Sequence, residues 1–146
     1  IGTDALGGER DPFGTEGHAD AVIDGQDENA LLYSMVACDF TGYNYEYVEE
    51  WLDELGYDLD TEDLRTIGER AWNMTRLFNV REGFDRAADT VPARIQQPVE
   101  RAGPAEGNAL TDEEFETMLE EYYEKRGWSR DGVPEPETLE ALEATQ

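Results

Sequence analysis

Apolar positions in this chain recur at three- and four-residue steps and nowhere alternate, so the pattern predicts helices and no strands. A first helix is expected over Asp27 to Phe40, with Leu31, Leu32, Met35, Val36 and Cys38 on its buried side. Thr41-Gly42-Tyr43-Asn44 breaks it. Tyr45, Val48, Leu52 and Leu55 then mark a second amphipathic helix that Gly56 ends. Asp60 or Thr61 can cap a third, whose stripe is Leu64, Ile67, Ala71, Met74 and Phe78 and which stops at or just before Gly83. The stretch from Ala87 to Gly107 carries Pro92, Pro98 and Pro104 and reads as an irregular traverse with at most a short helical turn. Thr111-Asp112-Glu113-Glu114 has the spacing of a capping box, opening a helix that buries Phe115, Met118, Leu119 and Tyr122 and ends at Gly127. Pro134 and Pro136 introduce a short last helix around Leu139 and Leu142.

The expected class is therefore all-α, with two parts. Residues 1–26 hold six glycines and few large apolar groups, and read as an irregular N-terminal segment that needs another surface to lie on. Residues 27–146 form the helical domain. A chain of 146 residues suffices for one core. Its start at Ile1 fits a fragment or a processed product.

Charge changes the picture. Asp and Glu total 36 against 11 Lys and Arg, a formal net charge of -25, with Lys125 the only lysine. Such acidity often marks disorder, but disordered chains lack aromatics, and this one has three Trp, seven Tyr and five Phe. A folded core under a carboxylate surface follows. Self-repulsion of that size strains a compact state in dilute buffer and fades once the screening length shrinks to about 3 Å in molar salt. We expect a protein of a high-salt, halophilic cytoplasm. The same charge disfavours nucleic acid and anionic membranes, and no apolar stretch approaches the roughly 20 residues that span a bilayer. One cysteine excludes an internal disulfide framework and suits a reducing compartment.

Candidate chemistry is sparse. Cys38 is either a small buried hydrophobe or a thiolate ligand whose partners lie outside this chain, because one thiol builds no metal site. Arg70, Arg76 and Arg81 pair with neighbouring carboxylates such as Glu69 and Glu82, or form a fork toward a phosphate or an interdomain seam. His18, the only histidine, has no second ligand spaced around it. The carboxylate runs read as solvated surface.

Several linked motifs are more specific. Ile67-Gly68-Glu69-Arg70-Ala71-Trp72-Asn73 and Arg76-Leu77-Phe78-Asn79-Val80-Arg81-Glu82-Gly83-Phe84 are followed by Asp89-Thr90-Val91-Pro92-Ala93-Arg94 and Gly103-Pro104-Ala105. Glu120-Glu121-Tyr122-Tyr123-Glu124-Lys125-Arg126-Gly127-Trp128 and Gly132-Val133-Pro134 close the series. In this order, over roughly 130 residues, the chain resembles the C-terminal part of the aldehyde ferredoxin oxidoreductase family, the tungstopterin enzymes. The resemblance implies a multihelical domain of an enzyme that oxidises small aldehydes to carboxylic acids at tungsten, or sometimes molybdenum, held by two pterins. It implies electrons leaving through a [4Fe-4S] cluster to ferredoxin, and contacts with upstream domains of the same polypeptide; a homodimer is compatible with it.

Cys38 matches the family's last cluster cysteine, in an Asp-x-x-Gly-Leu-Cys element that also touches a pterin. On this resemblance Cys38 is the metal ligand, and Ala37 with Cys38 the cofactor-contacting pair. The chain departs from the element at Tyr33 for Asp, Val36 for Gly and Ala37 for Leu. No catalytic residue is expected here, and the part alone is expected to be inactive. The alternative is a non-catalytic acidic helical module retained without its catalytic half.

Overall fold

A computed structural model describes residues 14–38, 40 and 42–144. Five α-helices follow in order: α1 (His18–Ser34), α2 (Tyr45–Glu54), α3 (Thr61–Arg81), α4 (Asp112–Arg126) and α5 (Pro136–Ala141). Two 3-10 turns, Arg86–Ala88 and Ala93–Gln96, interrupt the proline-bearing traverse. Among the described residues there is no strand, only an isolated bridge between Trp128 and Pro134, and the all-α expectation holds.

The caps are built as the sequence suggests. Asp60 accepts from the Glu62 and Asp63 amides while Asp63 reciprocates, and Thr111 exchanges the same pair of bonds with Glu114. Asn44 caps α2 by accepting from the Tyr47 amide at 3.2 Å. Each satisfies donors that the first helical turn leaves unpaired.

α1 packs on both α3 and α4, and α2 packs on α3. Leu31, Leu32, Tyr45, Val48 and Leu64 form the core cluster, with Met35, Ala37, Tyr43, Leu52, Leu59 and Ile67 around it. Complete burial of a residue such as Leu64 or Val48 is worth about 1.5–3 kcal/mol. Gly68 is where α1 and α3 touch: a Cβ there would fall inside contact distance of the Asp27 backbone carbonyl.

Three expectations need correction. α1 runs from His18 to Ser34, so residues 18–26 are helical rather than irregular, and the boundary drawn at residue 26 falls inside a helix. The inward face of this part includes Ala19 and Asp27. Its polar members meet Arg126 of α4, so the apolar pattern understates the helix. The helix also stops before Val36 and Cys38, which lie on the loop beyond it. Leu55, Met74 and Phe78, assigned to buried stripes, are exposed, while Asn73 and Arg76 take the buried positions on α3. The expected irregular course of residues 1–13 lies outside the described residues, as do Asp39 and Thr41.

Candidate functional site

The Cys38 loop begins at a particular backbone closure. The Val36 amide donates to the Tyr33 carbonyl at 3.0 Å and the Ala37 amide to the Leu32 carbonyl at 2.9 Å, the two bonds of a Schellman motif. That motif requires a left-handed residue just past the helix, and Val36 supplies it at φ 59°. The same pair of bonds closes α2 at Gly56, α3 at Gly83 and α4 at Gly127. Glycine takes that conformation freely, whereas a β-branched residue is strained there. Val36 thus stands where both the family pattern and the geometry call for glycine.

The closure aims neighbouring residues in opposite directions. Ala37 packs inward against the core. Cys38 is exposed. Val36 and Phe40 are almost wholly exposed, at 93% and 95%, and Tyr33 is more than half exposed. The loop therefore exposes apolar side chains and a thiol on a backbone tied to the core by Ala37. Among the described residues no three His, Cys, Asp or Glu side chains are grouped to hold a metal ion.

The arginines resolve differently. Arg76 grips Asp89 with both terminal nitrogens, at 2.9 and 2.6 Å, and donates from Nε to the Gly132 carbonyl at 2.7 Å. Tyr123 donates its hydroxyl to the same carboxylate, and the guanidinium lies 5.0 Å from the centre of the Trp128 ring. Burial alone would raise the Asp89 carboxyl, but the Arg76 and Tyr123 hydrogen bonds outweigh it and hold the group below its ordinary value. Gly132, at φ 70°, leaves this pair its room: a Cβ there would displace the Arg76 guanidinium and the Tyr123 hydroxyl. Trp128 Nε1 donates at 2.7 Å to Asn73, whose own amide donates to the Glu69 carbonyl. The linked motifs thus meet one another in a knot of α3, α4 and the segment around Gly132. Arg70 reaches the Leu142 carbonyl and Glu143, and Arg81 pairs with Glu82 at the surface. Ion pairing holds for all three, with Glu69 replaced as partner of Arg70.

Sequence reasoning missed a second buried pair. Arg126, with a fully buried side chain, donates to Asp27 at 2.7 Å and to Gln26 at 2.9 Å, pinning α4 to α1. Burial pushes the Asp27 carboxyl up to about 6 against the pull of Arg126. Tyr122 links the pair to α3, donating to Gln26 and accepting from Trp72 Nε1 at 2.9 Å. The available signal was Asp27 at four-residue steps from Ala19, Ile23 and Leu31, a charge on an otherwise apolar row. A cleft of about 450 Å³ opens beside this network, walled by Trp72, Phe115, Leu119 and Tyr122. Both polar atoms that Trp72 and Tyr122 bring to it are already engaged. His18 Nε2 is buried with no hydrogen-bond partner among the described residues.

Known proteins resemble this chain in sequence and fold. The family model for aldehyde ferredoxin oxidoreductase, domains 2 and 3, matches residues 3–143. The tungsten-containing aldehyde ferredoxin oxidoreductase of Pyrococcus furiosus is 40% identical over 121 residues, covering 80% of this chain and 20% of the relative. That of Thermococcus kodakarensis is 39% identical over the same length and shares. The WOR-like subunit of an aliphatic sulfonate oxidoreductase from Pyrococcus furiosus is 31% identical over 121 residues, 77% of this chain and 19% of the relative. Among solved structures, the active-site complex BamBC of benzoyl coenzyme A reductase with 1,5-dienoyl-CoA superposes with a TM-score of 0.74. It covers 93% of this chain and 20% of that one, and at 21% identity shares the fold alone. This chain spans about a fifth of the length of the curated relatives it matches. With nearly its whole length inside one family model, the chain belongs to the aldehyde ferredoxin oxidoreductase family, in the region of its domains 2 and 3.

Proposed function

We propose that this chain is the C-terminal helical portion of a tungsten- or molybdenum-pterin aldehyde:ferredoxin oxidoreductase, and that Cys38 is its one ligand to a [4Fe-4S] cluster. The reading is carried by the setting of Cys38: an exposed thiol on a loop fixed to the core, in a chain whose relatives are tungsten-containing enzymes. A single thiolate fits such a cluster as one of four ligands, and no other metal-ligating cluster lies among the described residues.

When bound, tungsten–pterin and cluster would supply oxidation of the aldehyde and relay of its electrons to ferredoxin. The chain's own residues hold and orient. The Schellman closure fixes the backbone from which Cys38 projects, with Ala37 anchored in the core. Tyr33, Val36 and Phe40, near Cys38 in sequence, are exposed apolar side chains that, covered by a neighbouring domain, would help exclude water and so set a cluster's potential. On the pterin side the fit is poorer. Tyr33 offers no carboxylate, Val36 places a side chain where the family pattern has none, and no step is derived through that contact.

The test is Cys38→Ser in the complete enzyme, isolated anaerobically. Iron content should fall and the [4Fe-4S] EPR signal of the reduced protein should be lost or altered, with helix content unchanged. A full complement of iron with an unaltered signal would reject ligation by Cys38.

A further inference from the structure

α2 has two apolar faces, and the core uses one. Tyr45, Val48 and Leu52 pack inward. Tyr47, Trp51 and Leu55 recur at four-residue steps along the adjoining side and stay 51%, 37% and 72% exposed. Tyr43 stiffens this row, with its ring edge-on to Trp51 at 4.4 Å and to Tyr47 at 6.2 Å. One position behind each member stands a carboxylate: Glu46, Glu50 and Glu54. α2 therefore presents an apolar ridge and an acidic ridge side by side in the same register, with no basic residue between them. Ridges of this four-residue spacing seat in the grooves of another helix. A solvated face has no use for a Trp, a Tyr and a Leu in line, least of all in a chain of net charge -25 that puts carboxylates elsewhere on its surface.

We infer that the Tyr47–Trp51–Leu55 ridge is a docking face for a helical, basic-edged apolar surface belonging to the part of the enzyme that this chain does not match. Charge settles the rim of the partner: three aligned carboxylates call for Lys or Arg opposite them. Charge also disfavours a second copy of this chain, whose equivalent ridge carries the same acidic row. Size favours the same enzyme, since four-fifths of a relative's length has no counterpart here. Tyr43, at the root of the ridge, lies five residues from Cys38 in sequence. The inference rests on reading the chain as one portion of a longer enzyme, and does not depend on Cys38 being a ligand.

Hydroxyl-radical footprinting of the complete enzyme, at molar salt and without ferredoxin, reads the accessibility of these side chains directly. Tyr47, Trp51 and Leu55 should be modified about ten-fold more slowly than in the urea-unfolded enzyme, as the centre of an interface is. The Leu55→Glu variant, at a side chain 72% exposed, should restore rapid modification of Tyr47 while circular dichroism stays unchanged. Modification of the wild type at the rate its half-exposed side chains dictate would overturn the inference. Protection that grows with enzyme concentration, or appears only on adding ferredoxin, would overturn it too, by naming a second copy or the electron carrier as occupant. The Cys38→Ser enzyme separates the two readings: protection should persist there whether or not iron is lost.

Discussion

Replacing Val36 by glycine should make this protein more stable, although the change removes a side chain and adds none. Val36 holds φ 59° to close α1, a conformation that costs an L-residue about 1–2 kcal/mol and a β-branched one toward the upper end. Its side chain is 93% exposed, so almost no burial is forfeited. Against the relief stands the larger chain entropy that glycine loses on folding, about 0.5–1 kcal/mol. The balance is a gain of about 0.5–1 kcal/mol. With a urea dependence of about 2 kcal/mol per molar, the unfolding midpoint should rise by about 0.3–0.5 M, followed by far-ultraviolet circular dichroism at fixed salt.

A mirror substitution isolates the cause. Gly56 closes α2 with the same two hydrogen bonds at φ 86°, and a Cβ there would meet no atom within 4 Å. Gly56→Val should therefore destabilise through backbone strain, less the same entropy difference, by about 0.5–1 kcal/mol. A Val36→Gly protein no more stable than the parent, beside a destabilised Gly56→Val protein, would refute the strain at Val36.

The buried Arg126–Asp27 pair supports two further predictions. Arg126→Met should destabilise by about 3–5 kcal/mol, because it strands the Asp27 carboxylate in the interior, and Asp27→Asn added to it should recover much of the loss; additive losses in a double-mutant cycle would contradict this. The Asp27 carboxyl is raised to about 6 in the fold from 3.8, so the folded state holds the extra proton between those values. The stability this lends is complete below pH 3.8 and lost as pH rises through 6, so between pH 4 and 7 the parent should lose about 1–3 kcal/mol relative to Asp27→Asn. Parallel pH profiles for the two proteins would remove the basis for that shift.

Helix order was legible because periodicity, glycine stops and capping boxes are local features. Thr111–Glu114 and Asp60–Asp63 close as their spacing demands. The failures share one cause, a polar residue on an inward face. Asp27, Asn73 and Arg76 are not among the expected inward residues, because each alone would be costly to bury. In the fold Arg126 meets Asp27, Trp128 meets Asn73, and Asp89 with the Gly132 carbonyl meets Arg76. These partners lie 13 to 99 residues away, a range no periodicity reports. Leu55, Met74 and Phe78 fail in the opposite sense: a hydropathy pattern says that a side chain avoids water, not which surface will cover it.

The same distinction bears on Cys38. Its apolar surroundings in sequence, from Leu31 to Phe40, suggested a buried thiol on a helix. The fold instead ends that helix at Ser34 and turns Met35 and Ala37 inward, leaving Val36, Cys38 and Phe40 outside. An isolated domain gains nothing from exposing such a run, and it tolerates a strained valine to do so. Relieving that strain with glycine would leave the core contacts of Leu32 and Ala37 untouched while freeing the backbone just ahead of the thiol. Any benefit from Val36 must then lie in what the loop meets, and not in the stability of the helices behind it.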